Sequence, residues 1–376
     1  MSSSISIISN FENFKDFIEI LVENKYLQWA TTLFVVLSTI GAAIHNEYIF
    51  WISLILFAAG LFIAIYQQYR KLNIYNRDFI PIPVVINISN PADSNNALTS
   101  MFSFIEKEYK HEYKHHKENL EQIYHIKEDE LIFEFKGKIE DKESLKDYLK
   151  ITKHDIEKLE KKIPAKDKFY IIYIGPVSVA ILIGAIFVNS SVVIFQYNKS
   201  SNGYNKVAEI NDRNIKENVS NFEKFDIEKM SYNNVNNLEN INYNITNDRN
   251  NDNNSDSLVK SNKVTLAIDI SSHKINLNQQ DIKEYGDIIY LKSKNSIGTL
   301  SRDEDWIEYV REIFKELNIL QREYNEIKLI YSMPVSLGLM LGIAIHNYWK
   351  IMLTQYEIEN GSYTNLMFTN EINYRY

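Results

Sequence analysis

His111-Glu112-Tyr113-Lys114-His115 has the H-E-x-x-H spacing that, on a helix, sets two imidazoles on one face and a glutamate beside them as base for a zinc-bound water. The tract around it, KEYKHEYKHHKEN, is charged on every face and offers no third ligand at a recognisable spacing, so a solvated helix face is the competing reading. A second chemistry is written twice. From Ile172 the chain reads IIYIGPVSVAILIGAIFVNSSVVIFQYNKSSNGY, and from Leu329 it reads LIYSMPVSLGLMLGIAIHNYWKIMLTQYEIENGSY. Tyr173 aligns with Tyr331, Pro176-Val177-Ser178 with Pro334-Val335-Ser336, Gly184 with Gly342, Gln196-Tyr197 with Gln355-Tyr356 and Tyr204 with Tyr363. A proline opening each helix suits its first turn, and the amides of such a start favour an anion. There is no Walker P-loop, no GxGxxG after a first strand, no GxSxG elbow and no carboxylate pair that spacing alone identifies.

Each copy requires a short buried strand, Phe169 to Ile174 or Ile327 to Ser332, then an almost wholly apolar helix of about fourteen residues, then a strand ending in Gln-Tyr. That order is the βαβ pattern of a mostly parallel, Rossmann-like sheet. Upstream, VVINISN at Val84 to Asn90 parallels LAIDISS at Leu266 to Ser272, each a first strand ending in small polar residues. The first half adds a charged helix from about Ala97 to Lys127, a strand at Glu130 to Phe135 and a helix from Asp141 to Lys162. The second adds a strand near Ile288 to Lys292 and an amphipathic helix from about Ser301 to Leu320. Ligands of open parallel sheets sit outside the carboxyl ends of the strands, so Ser89, Asn90, Ser271, Ser272 and both Pro-Val-Ser turns are expected on one rim.

Two apolar stretches free of Asp, Glu, Lys and Arg, Leu27 to Ile44 and Ile49 to Tyr66, precede the halves; their length and spacing predict a transmembrane helical hairpin. Its loop carries no Lys or Arg, whereas Lys15, Lys25, Arg70, Lys71 and Arg77 flank it, which predicts both termini on the cytoplasmic side of a bacterial inner membrane. No basic n-region or small-residue cleavage site marks a signal peptide. Absence of cysteine excludes disulfides and cysteine-ligated metal sites, and a net charge of −8 argues against direct DNA binding. Twelve of the twenty-two residues from Asn233 to Asn254 are Asn, which marks a low-complexity insertion. The expected organisation is therefore a cytoplasmic segment at 1–26, the hairpin at 27–66, a linker at 67–80, a first half at 81–207, an Asn-rich insertion at 208–262 and a second half at 263–376.

The doubled Tyr-x-x-Pro-Val-Ser, helix, Gln-Tyr, Tyr pattern behind paired first strands resembles the SAVED domain of bacterial anti-phage CBASS effectors. The resemblance implies an α/β fold of two CARF-like halves with parallel sheets and a sensor of cyclic oligonucleotides. Its ligand rim maps onto Gly175, Pro176, Val177 and Ser178, and onto Met333, Pro334, Val335 and Ser336. Tyr197, Tyr204, Tyr356 and Tyr363 could stack on bases or simply pack. Lys199 faces no basic residue in the second copy, where Ile358 or its neighbour stands, and Met333 departs from Gly175. The expected protein is not an enzyme and needs no cofactor. A cyclic di-, tri- or tetranucleotide is its activating partner, it forms a homo-oligomer or filament, and its helices act on membrane lipid in abortive infection. The alternatives are a zinc metalloprotease using His111, Glu112 and His115, a ring nuclease, and a CARF-type membrane effector of type III CRISPR.

Overall fold

A computed structural model describes residues 25–75, 79–89, 93–110, 113–163, 166–200, 202–211, 213–230, 262–271, 273–283, 285–294, 300–301 and 303–372. They form two compact units, Met1–Phe79 and Ile80–Tyr376. In the first, helices α1 (Lys25–Ala43) and α2 (Glu47–Tyr75) are joined by a tight turn. The Asn46 amide donates to the Gly41 carbonyl at 2.9 Å with His45 at φ 51°, and the Asn46 side chain accepts from the Tyr48 amide at 3.0 Å, ending one helix and capping the next. Phe34 packs between Phe50 and Phe57, with ring centroids 6.4 and 5.3 Å away. Among the described residues, Glu47–Tyr66 is the one helix long and apolar enough to cross a membrane; the apolar part of α1, Leu27–Ala43, is shorter. Two spanning lengths were expected, and by length and composition one is present.

The second unit holds two sheets. The first half runs β1 (Ile80–Asn87), α3 (Ser94–Tyr109), α4 (His116–Tyr124), β2 (Ile132–Glu134), α5 (Lys142–Lys162), β3 (Asp167–Ile174), α6 (Val177–Gly184), β4 (Ser191–Asn198) and β5 (Gly203–Ile210). The second runs β6 (Phe225–Met230), β7 (Lys263–Asp269), α7 (Gln280–Lys283), β8 (Asp287–Ser293), α8 (Trp306–Glu323), β9 (Glu326–Ser332), α9 (Val335–Ile345), β10 (Ile351–Glu357) and β11 (Ser362–Phe368). Strand orders are β2-β1-β3-β4-β5 and β11-β10-β9-β7-β8-β6. Apart from β6, the same five-strand order recurs, so the halves are copies of one topology.

Both sheets are mixed, not purely parallel. β5 and β11 pair antiparallel with β4 and β10, because four-residue turns at 199–202 and 358–361 are too short for a crossover. β6 pairs antiparallel with β8 and lies within the stretch expected to be insertion. Its start is fixed from α8, where the buried Glu312 carboxylate accepts from the amides of Glu223 at 2.7 Å, Lys224 at 2.8 Å and Phe225 at 3.1 Å. Replacing Glu312 with Ala orphans those donors, and a loss of about 2–3 kcal/mol is expected in denaturant unfolding; an unchanged midpoint would contradict this anchoring role.

Pro81 and Pro83 stand in a central strand, where a proline normally removes a ladder bond. β2 pairs with β1 only at Val85, Ile86 and Asn87, so the β2 side of β1 is open where the prolines lie. The Pro81 carbonyl is taken up instead by His116, whose Nε2–H donates at 2.6 Å from a buried ring. His116→Ala is expected to cost about 1–3 kcal/mol by orphaning that carbonyl, read as a lowered thermal midpoint; no change would remove this account of the histidine.

The apolar helices are shorter than fourteen residues, at eight in α6 and eleven in α9. Each must turn soon after the glycine at which the two cross.

Candidate functional site

Helices α6 and α9 are the core of the contact between halves. A β-carbon on Gly184 would lie 2.1 Å from the Leu339 carbonyl oxygen, and one on Gly342 would lie 2.0 Å from that of Ile181. Only glycine permits this approach, which explains why the pair recurs in both copies. Beside it, the Ser178 hydroxyl donates to Gln355 Oε1 at 2.6 Å and the Ser336 hydroxyl to Gln196 Oε1 at 2.7 Å. The Ser336 amide also reaches Gln196 Oε1, at 3.3 Å. Serine and glutamine of the repeat thus bond reciprocally across a pseudo-two-fold axis. Both serines, expected on the ligand rim, are buried and engaged in joining the halves.

The rim itself is open on one side. A cleft of about 670 Å³ lies at the carboxyl ends of β3 and β4, lined by Gly175, Gln196, Tyr197, Asn202 and Tyr204, by Asp93, Asn96 and Ser100 around the start of α3, and by Val335 of the second half. Chain order reverses between β1 and β3, so this is the switch point at which crossover helices leave on opposite faces. The turn into α3 is braced by Asn87, whose side-chain amide donates to the Ser94 hydroxyl at 2.9 Å, which in turn donates to Glu134 at 2.8 Å. Gly175 admits no side chain, because a β-carbon there would lie 2.6 Å from the Tyr173 hydroxyl and 2.8 Å from Ile88. Pro176 and Val177 follow it, half-buried.

Tyr197 and Tyr204 face each other across the β4–β5 hairpin with ring centroids 5.3 Å apart, and the Tyr197 hydroxyl donates to Asn202 at 2.6 Å. Tyr197 is 43% exposed, which leaves ring surface open to a planar ligand. Burial, with the Asp93 charge as a second cause, pushes the Tyr204 hydroxyl above its ordinary range, so it stays protonated as a donor. Asp93 is the one charged residue in the lining. No basic residue lines the cleft, so an anion here would be held by neutral donors. Lys199 is exposed and lies outside the lining.

The equivalent mouth of the second half is filled by its own chain. Where the first half spends α3 and α4 between its first two strands, the second has a loop with the single turn α7, and Ile275 and Ile282 from it pack with Ile330, Tyr290 and Tyr363. Tyr363 and Met333 are buried at 7% exposure, and burial pushes the Tyr363 hydroxyl up while it donates to the Tyr331 carbonyl at 3.3 Å. Ser271 is half-buried and within 2.5 Å of the Ser332 hydroxyl. Tyr356 remains 45% exposed, its ring 5.1 Å from that of Tyr363, and Pro334 is half-buried at the start of α9. Ser89 is exposed at the end of β1; Asn90 and Ser272 lie outside the described residues.

Of the seventeen rim residues named from sequence, Gly175, Tyr197, Tyr204 and Val335 line the cleft. Asp93, Asn96, Ser100 and Asn202 were missed. For Asp93, Asn96 and Ser100 the available signal was topological, since the crossover helix after β1 must start at the switch point, three residues earlier than the expected Ala97. The H-E-x-x-H tract does not run on one helix: Lys110 and His115, both at positive φ, bracket a break between α3 and α4. His111 and Glu112 lie outside the described residues, and among the described residues no cluster of three His, Cys, Asp or Glu could hold a metal. A second cleft of about 470 Å³ beside β5 carries Glu108, Glu209, Glu304 and Asp305 against one lysine, a poor setting for an anion.

Residues 230–367 match the family model described as SAVED, the SMODS-associated and fused to various effectors sensor domain. No curated protein matches the sequence. Among solved structures, the chain is similar to the Acinetobacter baumannii Cap4 SAVED/CARF-domain containing receptor with the cyclic trinucleotide 3'3'3'-cAAA, at 12% identity and a TM-score of 0.45, covering 84% of this chain and 56% of that one. The same receptor with 2'3'3'-cAAA gives 13% identity and 0.44, again covering 84% and 56%. The Moraxella osloensis Cap4 SAVED/CARF-domain containing receptor gives 14% and 0.39, covering 84% and 54%. The chain therefore spans little more than half the length of these receptors. The segment 230–367 carries a SAVED sensor match, on an α/β unit of two mixed, mostly parallel sheets.

Proposed function

We propose that the Ile80–Tyr376 unit is a cyclic-oligonucleotide sensor in CBASS-type anti-phage defence and that its ligand lodges in the open cleft of the first half. The observation that carries this is the cleft itself. It has the volume of a small-molecule site, sits at the switch point of a duplicated Rossmann-like sheet, and sets a half-exposed tyrosine pair opposite the start of α3, with the second half contributing Val335. The SAVED match over residues 230–367, which lies outside the first half, supports the sensor part of this reading. Ser89, Pro176, Val177 and Lys199 are the further first-half rim residues that a ring larger than the cleft would reach. The ligand is a cyclic di-, tri- or tetranucleotide, bound and not cleaved.

Helix α2, with α1 beside it, holds the protein at a bacterial inner membrane, with the sensor on the cytoplasmic side. Ligand favours assembly to the extent that the assembled state binds it better, and because the two mouths differ, head-to-tail growth is the natural outcome. Clustered helices then impair the membrane.

Titration of the full-length protein in detergent with labelled cyclic di-, tri- and tetranucleotides tests the sensor. Saturable binding of one ring, recovered intact, with particle growth is expected; cleavage of the ring would make the protein a ring nuclease, and no binding by any ring would reject the sensor. Topology is read separately, since the natural chain has no cysteine. A single Asn46→Cys in the helical turn should react with a membrane-impermeant maleimide from outside spheroplasts. Ile358→Cys, 88% exposed in the second half, should react only after lysis; equal labelling of both would refute the orientation.

A further inference from the structure

The one charged side chain lining the open cleft is an acid, Asp93, and its carboxylate is unspent. It stands at the N-cap of α3, from which an aspartate ordinarily accepts from the second or third amide of its helix, yet it makes no cap bond. Among the described residues it makes no ion pair or side-chain hydrogen bond either, although its charge lies near enough to the Tyr204 hydroxyl to help push it up. Three positions on, the exposed Asn96 side chain is equally unengaged; only its backbone carbonyl is used, accepting from the Ser100 hydroxyl at 2.8 Å. Residues three apart share a helix face, and both line the cleft together with Tyr197 and Tyr204.

We propose that a guanine base of the ligand is read here, with Asp93 accepting from its N1–H and exocyclic amino group, Asn96 donating to its O6 and its plane lying on Tyr197. The inference deepens, and rests on, the reading that this cleft seats a cyclic oligonucleotide. Like charge keeps the phosphates of such a ring away from Asp93, and no basic residue in the lining offsets it, so a base leads into the cleft. A carboxylate is an acceptor only, with two oxygens side by side. Guanine is the base whose pairing edge sets two donors next to each other, followed by an acceptor for the amide of Asn96. Adenine and cytosine each set one donor beside a ring nitrogen that is itself an acceptor and would face the second carboxylate oxygen; uracil sets its single donor between two carbonyls. Tyr197, 43% exposed, keeps ring surface on which the base can stack.

Cyclic di-, tri- and tetranucleotides, each made all-adenine, all-uracil, and with one adenine replaced by guanine or by hypoxanthine, test the readout when titrated into the full-length protein in detergent. A good bidentate pair discriminates by about 5- to 150-fold, and the guanine ring is expected to bind tighter than the all-adenine ring within that range. Hypoxanthine, which keeps N1–H and lacks the exocyclic amine, should fall between them. Asp93→Asn presents one acceptor and one donor, the complement of adenine, and should invert the order. The comparison of rings on the natural protein stands whatever the stability of that variant. An all-adenine or all-uracil ring that binds as well as the guanine ring, or an order that Asp93→Asn leaves as it was, overturns the guanine readout while the sensor stands. Binding by none of the rings rejects the sensor, and the readout with it.

Discussion

Alanine at Gly342 or Gly184 is expected to disrupt the sensor unit more than any other single methyl group. The added carbon would lie 2.0 or 2.1 Å from a backbone oxygen of the facing helix, with further backbone atoms at 2.8–3.0 Å, so no side-chain rotation relieves it. The helices must separate, which breaks the reciprocal Ser178–Gln355 and Ser336–Gln196 bonds beside the crossing. Overpacking in well-filled cores costs about 1–3 kcal/mol and more when backbone must move; here about 3 kcal/mol or more is expected for each. At roughly 2–4 °C per kcal/mol, the thermal midpoint should fall by about 6–12 °C or further. A shift below about 2 °C for both variants would show that the halves do not meet through this crossing. The double variant should be less than additive, because the glycines face one another.

Loss of the aromatic faces at the cleft is expected to have the second large effect, on binding instead of stability. A base stacked on a tyrosine is worth about 1–3 kcal/mol, so Tyr197→Ala should weaken cyclic-oligonucleotide binding by about 5- to 150-fold at tenfold per 1.4 kcal/mol. Tyr197→Phe keeps the ring and loses only the bond to Asn202, and it should bind within a few-fold of the natural protein. Equal losses from Phe and Ala would assign the tyrosine to the hairpin turn and not to the ligand. Tyr356→Ala, on the filled side, should change affinity far less.

The duplication, the strand that precedes each Pro-Val-Ser turn and the helix-then-strand that follows it were legible in the sequence because both copies spell them with the same residues. The antiparallel strands β5 and β11 were not, although Gln-Tyr stands before, and Gly-Tyr or Gly-Ser-Tyr after, turns of hairpin length; their exposed faces blur the apolar alternation on which a strand reading depends. β6 escaped because its partner and the Glu312 anchor are distant in sequence. The site was half legible. The repeat singled out Tyr197 and Tyr204 and the family resemblance singled out Gly175, all three of which line the cleft, but the shared serines join the halves, since repetition marks what both copies need and a pseudo-two-fold contact is such a need. Nor could alignment alone reveal that Ile275 and Ile282 fill the second mouth, because the loop that carries them stands where the first half has α3 and α4 and differs from them in length and structure.

Photo-cross-linking of the full-length protein with an azido-adenine cyclic oligonucleotide, followed by mass spectrometry of the labelled peptides, tests most directly where the ligand lodges. Label on the peptides carrying Tyr197 and Tyr204, competed away by unlabelled ring and lost in Tyr197→Ala, is the predicted result. Competable label confined to the 273–283 loop or the acidic cleft beside β5, or no competable label at all, would contradict a ligand seat in the first half.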